Sequence, residues 1–303
     1  MSRRRRGKKI DGWIILDKPL GLGSTAALGA VKRLLHPQKA GHGGTLDPLA
    51  TGVLPIALGE ATKTMPFIVD STKEYEFQVC WGEERNTDDR EGEVTHTSDH
   101  RPDARQIDAA LGGFIGEIEQ IPPAFSAIKV DGTRAYDLAR AGKPPEMRAR
   151  TVRVERLERL VGGEKHSDAE HTSFHLVCGK GTYVRALARD LARVLGTRGH
   201  VSALRRTRVG PFQISDAISL ELLNDLSHSA RAEESILPVM TALADIPALA
   251  VTENEADRIR HGQAVNLPTA RSGTICLTHG GMPLAVAEAS EGIVRPLRVF
   301  NLA

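Results

Sequence analysis

The segment GHGGTLDPLATGVL, residues 41–54, places one carboxylate, Asp47, directly before Pro48 and behind three glycines and a histidine. Proline restricts the preceding residue to extended backbone angles, and Gly41, Gly43 and Gly44 leave room for another chain or a ligand to come close. A single constrained acid with no second acid or metal ligand beside it suits a nucleophile or base held against an opposite charge. Arg185, opening the helix that follows the Gly-Lys-Gly turn at 179–181, is the candidate partner; its guanidinium would keep Asp47 in the carboxylate form.

Other signals carry less. GLGSTA (21–26) imitates a dinucleotide-binding glycine fingerprint, but Asp17, Lys18 and Pro19 interrupt the strand-to-helix turn, and no acid about 20 residues on is followed by repeated βα units. His171 and His175 stand four apart, but Thr172 replaces the glutamate of the H-E-x-x-H zinc helix, and no cysteine pair completes a tetrahedral set with them or His166, so no metal is expected. There is no Gly-x-Ser-x-Gly elbow.

The elements that position these residues are legible in outline. GWIILDKP reads as a buried strand ended by Pro19, followed by a helix capped by Ser24 or Thr25. TGVLPIALG and KEYEFQVCWG read as strands, the second half-buried by its alternation. EERNTDDREGEVTHTSDHRP is a polar excursion, and a helix capped by Asp103 follows over DARQIDAALGGFIGEI. A proline-punctuated basic stretch then leads to TSFHLVCGKGTYVRALARDLARVLG, a strand, a turn and a helix ending at Gly196. A Thr252–Glu255 capping box opens a helix that stops at Gly262, and short strands fill the remainder, with a domain boundary near residue 245.

The 303 residues are 41% hydrophobic, and no apolar run approaches the roughly 20 residues of a membrane span. MSRRRRGKKI lacks the apolar region of a secretory signal, and three scattered cysteines suit a reducing compartment, so a cytoplasmic location is expected. The net charge of +2 hides an asymmetry: +6 over residues 1–9, −8 over 10–128, +9 over 129–212 and −5 over 213–303. Such basic regions suit a polyanion.

GHGGTLDPLATGVL resembles the catalytic motif of the TruB family of tRNA pseudouridine(55) synthases. DKPLGLGS, KEYEF, QIPPAFSAIK, GKGTYVRALARDL and HVSALRRTRVGPF resemble the family's further motifs, in order, from about residue 11 to 221. The resemblance implies an α+β fold: a mixed, largely antiparallel sheet flanked by helices, with an inserted RNA-clamping thumb and a small β-rich C-terminal domain of the PUA type. Its expected divisions are a basic flexible tail (1–10), a catalytic domain (11–244, thumb about 122–152) and an RNA-binding domain (245–303).

The resemblance also implies roles. Asp47 is catalytic, paired with Arg185; Tyr75 stacks on a flipped uracil, and a pocket tyrosine assists removal of the C5 proton. His42 stands in for the extruded base, Tyr183 and Leu204 line the pocket, and Lys18 is a phosphate or structural contact. Thumb arginines Arg148, Arg150 and Arg153 are further RNA contacts. The substrate is the tRNA T-arm stem-loop, with no metal, cofactor or membrane involved, and a monomer is expected because no exposed apolar surface demands a partner. Three rivals remain: a non-catalytic tRNA-binding or folding protein, a synthase inside a guide-RNA particle, and a nucleotide-dependent oxidoreductase.

Overall fold

The structure is a computed structural model that describes residues 7–126, 128–130, 132–161 and 169–302. Strand β1 (Gly12–Lys18) is followed by helix α1 (Ser24–Leu35), the short β2 (Ala40–His42), β3 (Ala50–Leu58), α2 (Met65–Asp70) and β4 (Lys73–Trp81). Next come a hairpin of β5 (Glu83–Arg85) and β6 (Val94–Thr97), α3 (Ala104–Leu111) and β7 (Gly116–Gln120). Then come β8 (Lys129–Val130), β9 (Thr133–Arg134) and α4 (Ala135–Arg140). The chain returns through β10 (Arg150–Arg159), β11 (His171–Cys178), α5 (Val184–Val194), β12 (Gly199–Val209), β13 (Phe212–Gln213) and α6 (Leu220–Ser227). The C-terminal part comprises β14 (Ala248–Ala250), α7 (Glu253–Arg260), β15 (Val265–Asn266), β16 (Gly273–His279), β17 (Met282–Ser290) and β18 (Ile293–Val299).

The central sheet runs β1-β3-β12-β4-β11-β10-β7, with β2 added to β3 and β13 to β12. Its pairs are antiparallel except β3 with β12, which makes it the mixed, largely antiparallel sheet expected. Strand β1 reads as a continuous apolar run because both its faces are covered. Ile14 and Leu16 join the core beneath α1 and α5, while Trp13 and Ile15 join a second cluster with Val53 and Phe212. Strand β4 instead alternates, with Phe77, Val79 and Trp81 buried and Phe77 stacked 5.2 Å from Phe174 of β11.

The C-terminal strands form a separate five-stranded sheet, β14-β16-β17-β18-β15, with its own core. Cys276, Val286 and Phe300 nevertheless belong to the cluster containing Trp13. Lys63 Nζ donates to the Val299 carbonyl at 2.7 Å, and Asn301 N–H donates to Glu60 at 2.7 Å. Residues 245–303 carry five basic and six acidic residues, so most of the C-terminal acidic excess lies before this sheet.

Several local expectations change. Gly23, not Ser24 or Thr25, is the N-cap of α1. The helix from Asp103 is capped as expected, by a capping box with Gln106, but ends at Leu111, and the chain re-enters the sheet at Gly116. The basic tail is shorter than ten residues: Lys8 N–H donates to His36 O at 2.7 Å and Ile10 is in the core, while Arg3 to Arg6 lie outside the described residues. The polar excursion at 83–102 forms the β5–β6 hairpin and part of the core's polar edge. Glu84, Asp88 and Asp89 are all buried there, facing arginines of α5.

Candidate active site

Asp47 sits in the loop between β2 and β3, and that loop is fastened at several points. The Ser24 hydroxyl accepts from Leu46 N–H at 2.7 Å and lies 2.8 Å from Leu46 O, closing a two-way clasp on the residue before Asp47. Gly21 N–H donates to Pro48 O at 2.8 Å. Lys18, fully buried, directs its ammonium to the carbonyls of Leu22 (2.6 Å), Pro19 (2.9 Å) and Pro48 (3.5 Å). Of the two roles considered for Lys18, its geometry is the structural one. Burial lowers its pKa to about 8, against the pull of the Asp47 carboxylate.

The glycines divide their work. A Cβ on Gly41 or Gly43 would run into Met65 or Ile68 of α2, so there the close neighbour is the protein itself. Gly44 has φ +110° and faces a cavity, a backbone angle that a side chain would strain.

Arg185, 4% exposed, is the second residue of α5. Its Nη2 lies 2.8 Å from Asp47 Oδ2 and donates to Phe125 O at 2.9 Å; its Nη1 donates to Thr87 O at 2.8 Å and lies 3.4 Å from Asp89. One guanidinium therefore joins the Asp47 loop, the β5–β6 hairpin and the chain at Phe125. Arg189 and Arg193 continue the same face of the helix at i+4 and i+8. Arg189 pairs with Asp88 at 2.8 Å and Arg193 with Glu84 at 2.7 Å. The α5 N-terminus is held by Gln120, whose amide exchanges hydrogen bonds of 2.8 and 3.0 Å with the Tyr183 backbone.

Asp47 and Arg185 open onto a cavity of about 530 Å³ that is also walled by Tyr75, Tyr183 and Leu204. Its charged lining is Lys73, Arg150, Lys180, Arg185 and Arg206 against Asp47 alone. Burial raises the phenol pKa of both tyrosines, opposed at Tyr75 by the charge of Arg206. Lys73, buried and bonded to Val69 O at 2.6 Å and to Ser71 O, is lowered to about 8 by burial and by Arg206.

Two expected residues stand outside that lining. Lys18 lies beneath the loop, and His42, on β2 opposite Ile56, is partly buried. Burial, then the Arg206 charge, depress the His42 pKa, and its Nδ1 has no hydrogen-bond partner. Arg148, Arg150 and Arg153 are exposed and have no acidic partner among the described residues. Asp89, Gln120 and Arg206 had not been singled out in the sequence. Only Arg206 left a trace there, two residues beyond Leu204 on a strand and therefore on the same face. For metals, His171 and His175 lie on β11, His166 lies outside the described residues, and no group of three or more candidate ligands occurs among those described.

This sheet with its attached domain is the pseudouridine synthase fold. A chain from the solved structure titled "Crystal Structure of a Cbf5-Nop10-Gar1 Complex" superposes with a TM-score of 0.73 at 26% identity, covering 96% of this chain and 84% of that one. The family described as TruB family pseudouridylate synthase (N terminal domain) matches residues 32–184. The tRNA pseudouridylate synthase B C-terminal domain matches 185–244, and Pseudouridine synthase II TruB, C-terminal, matches 247–300. The protein named tRNA pseudouridine synthase B of Caulobacter vibrioides is 52% identical, with all of both chains covered. That of Gluconacetobacter diazotrophicus is 55% identical, covering 98% of this chain and all of its own. The chain belongs to the TruB family of pseudouridylate synthases.

Proposed function

We propose that this protein isomerises the uridine at position 55, in the T loop of tRNA, with Asp47 as its catalytic carboxylate. Its family makes it a tRNA pseudouridine synthase, an isomerase. The observation that carries the proposal is the Asp47 carboxylate, held 2.8 Å from Arg185 on the wall of the cavity lined by Tyr75, Tyr183 and Leu204.

A uridine inside a folded loop must be extruded before its ring can react, at a cost of a few kcal/mol that stacking offsets. Tyr75 supplies the stacking face, Tyr183 and Leu204 the walls, and His42 fills the place the base leaves. The exposed cations at the cavity mouth, Arg150 and Lys180, continued by Arg148 and Arg153, match the phosphates flanking the target. With Asp47 acting at the extruded nucleotide, the N1–C1′ bond breaks, the base turns, and C5 bonds to C1′. The C5 proton is lost with help from a pocket tyrosine, and N1 gains one. Starting material and product are isomers, so the reaction consumes no co-substrate.

The domain at 245–303 adds a second contact to the T arm, and the enzyme acts as a cytoplasmic monomer. Among the described residues no helix is long and apolar enough to cross a membrane. Full-length identity of 52% to a protein named for tRNA, against 26% to a chain in the Cbf5-Nop10-Gar1 complex, favours a stand-alone enzyme over a guide-RNA particle.

The test is tritium release from a tRNA transcript labelled at uracil C5. The wild type should release tritium at position 55, and Asp47→Asn should bind tRNA and release none. Tight binding with no release by the wild type would leave the tRNA-folding protein as the correct reading.

A further inference from the structure

Arg206 holds more of the site together than any role above requires. It is 2% exposed, on β12, registered with Tyr75 of β4 on one side and Gly52 of β3 on the other. The approach to β3 is so close that a Cβ on Gly52, whose φ is +98°, would stand 2.2 Å from Arg206 O. A guanidinium has five N–H groups. Three donate to carbonyls of the catalytic loop and of β3: Nε to Val53 at 2.8 Å, Nη1 to Thr45 at 3.4 Å and Nη2 to Gly44 at 3.1 Å. The other two N–H groups are left for the Tyr75 hydroxyl, with which the guanidinium hydrogen-bonds, and for the cavity it helps wall.

Its charge is not neutralised. Among the described residues no carboxylate forms an ion pair with Arg206, whereas Arg185, Arg189 and Arg193 each have at least one. Burying a cation without a counter-ion costs several kcal/mol, and neutral donors would serve three carbonyls as well. A retained, unpaired charge fits a site where negative charge arrives during turnover. It already weighs on the surroundings, opposing ionisation of Lys18, His42 and Lys73 and favouring it at Tyr75.

That negative charge belongs to the base. When the N1–C1′ bond breaks, its electron pair stays on N1 and spreads to O2 and O4, leaving an anion in the cavity until C5 bonds to C1′. We propose that Arg206 is a positioning residue that locks the Asp47 loop to the Tyr75 strand and, through Tyr75, supplies the unneutralised charge that holds the detached uracil as an anion. This rests on the isomerase reading above.

The test compares wild type, Arg206→Met and Arg206→Lys in single-turnover conversion, read by nucleoside chromatography of the digested transcript, alongside tRNA Kd and the unfolding midpoint. Each protein is assayed on uridine and 5-fluorouridine transcripts, the latter read as loss of the starting nucleoside because its C5 carries fluorine and has no proton to lose; fluorine also stabilises the uracil anion by itself. Arg206→Met should lose about 10²-fold in rate on uridine, in the range for removing one oxyanion-stabilising donor, with Kd unchanged. Its deficit should shrink several-fold on 5-fluorouridine, and Arg206→Lys should recover much of the loss. Equal deficits on both substrates, or no recovery with lysine, would make Arg206 a loop anchor only and overturn the proposal. If Arg206→Met does not fold, the substrate dependence of Arg206→Lys decides by the same criterion. An inert wild type would overturn the isomerase reading too, whereas an active wild type matched by Arg206→Met would overturn this proposal alone.

Discussion

Ser24→Ala separates two accounts of one hydroxyl. As a helix cap, its loss would cost about 1 kcal/mol and leave catalysis alone. In the structure the hydroxyl instead serves both the N–H and the carbonyl of Leu46, one residue before Asp47, and Ser24 and Leu46 are 3% and 4% exposed. Alanine removes both bonds without bringing in water. Two buried backbone groups lose their partner at about 1–3 kcal/mol each, so about 2–6 kcal/mol of stability should disappear. The loop would relax as well. Displacing a catalytic group by about 1 Å costs about 10²-fold in rate, and the Asp47–Arg185 contact should loosen by a displacement of that order. Urea unfolding gives the first quantity and tritium release at saturating tRNA the second. Thr25→Ala is the control: Thr25 is exposed, and its loss should stay within about 0.5 kcal/mol. A Ser24→Ala protein within 1 kcal/mol of wild type and fully active would refute the clasp.

Other expectations follow from the same contacts. Asp89→Asn withdraws the second carboxylate from Arg185 and should slow single-turnover conversion about 10- to 100-fold with tRNA binding unchanged; an unchanged rate would remove Asp89 from the site. Lys18 has a folded pKa of about 8 against an ordinary 10.5, so the folded state binds fewer protons between those values and stability rises with pH there. Wild type should therefore gain about 2 kcal/mol on Lys18→Met between pH 7.5 and 9.5, read from urea midpoints, and parallel pH profiles would contradict the burial argument. Phe300→Ala, at a 4% exposed position clustered with Trp13, should cost about 3–5 kcal/mol in one cooperative transition; a separate early transition would mean the two sheets unfold independently.

Much of this protein was legible before folding. Asp47 stood out because glycine and proline constrain the backbone on either side of it, and such constraints are written in adjacent residues. The strands β1, β3 and β4, the Asp103 and Thr252 caps and the glycine stop at 196 follow from local rules that need no partner elsewhere. The pairing of Asp47 with Arg185, 138 positions apart in the chain, was reached from charge complementarity and from ordered motifs, not from spacing.

What only the tertiary structure decided concerns side chains whose partners are remote. Ser24 carries every local mark of a cap, yet packing brings Leu46 within 2.8 Å and the hydroxyl turns to it. Nothing in the polar excursion itself shows that α5 lays three arginines along it and makes Glu84, Asp88 and Asp89 buried counter-ions. Lys18 and Arg206 look like RNA contacts by charge alone, but both donate to carbonyls of the chain that carries Asp47. Sequence pattern reports which residues prefer burial and where the backbone must turn, because those preferences are local. Which buried polar group satisfies which other is settled by contacts between residues distant in the chain, and the geometry of this active site consists of such contacts.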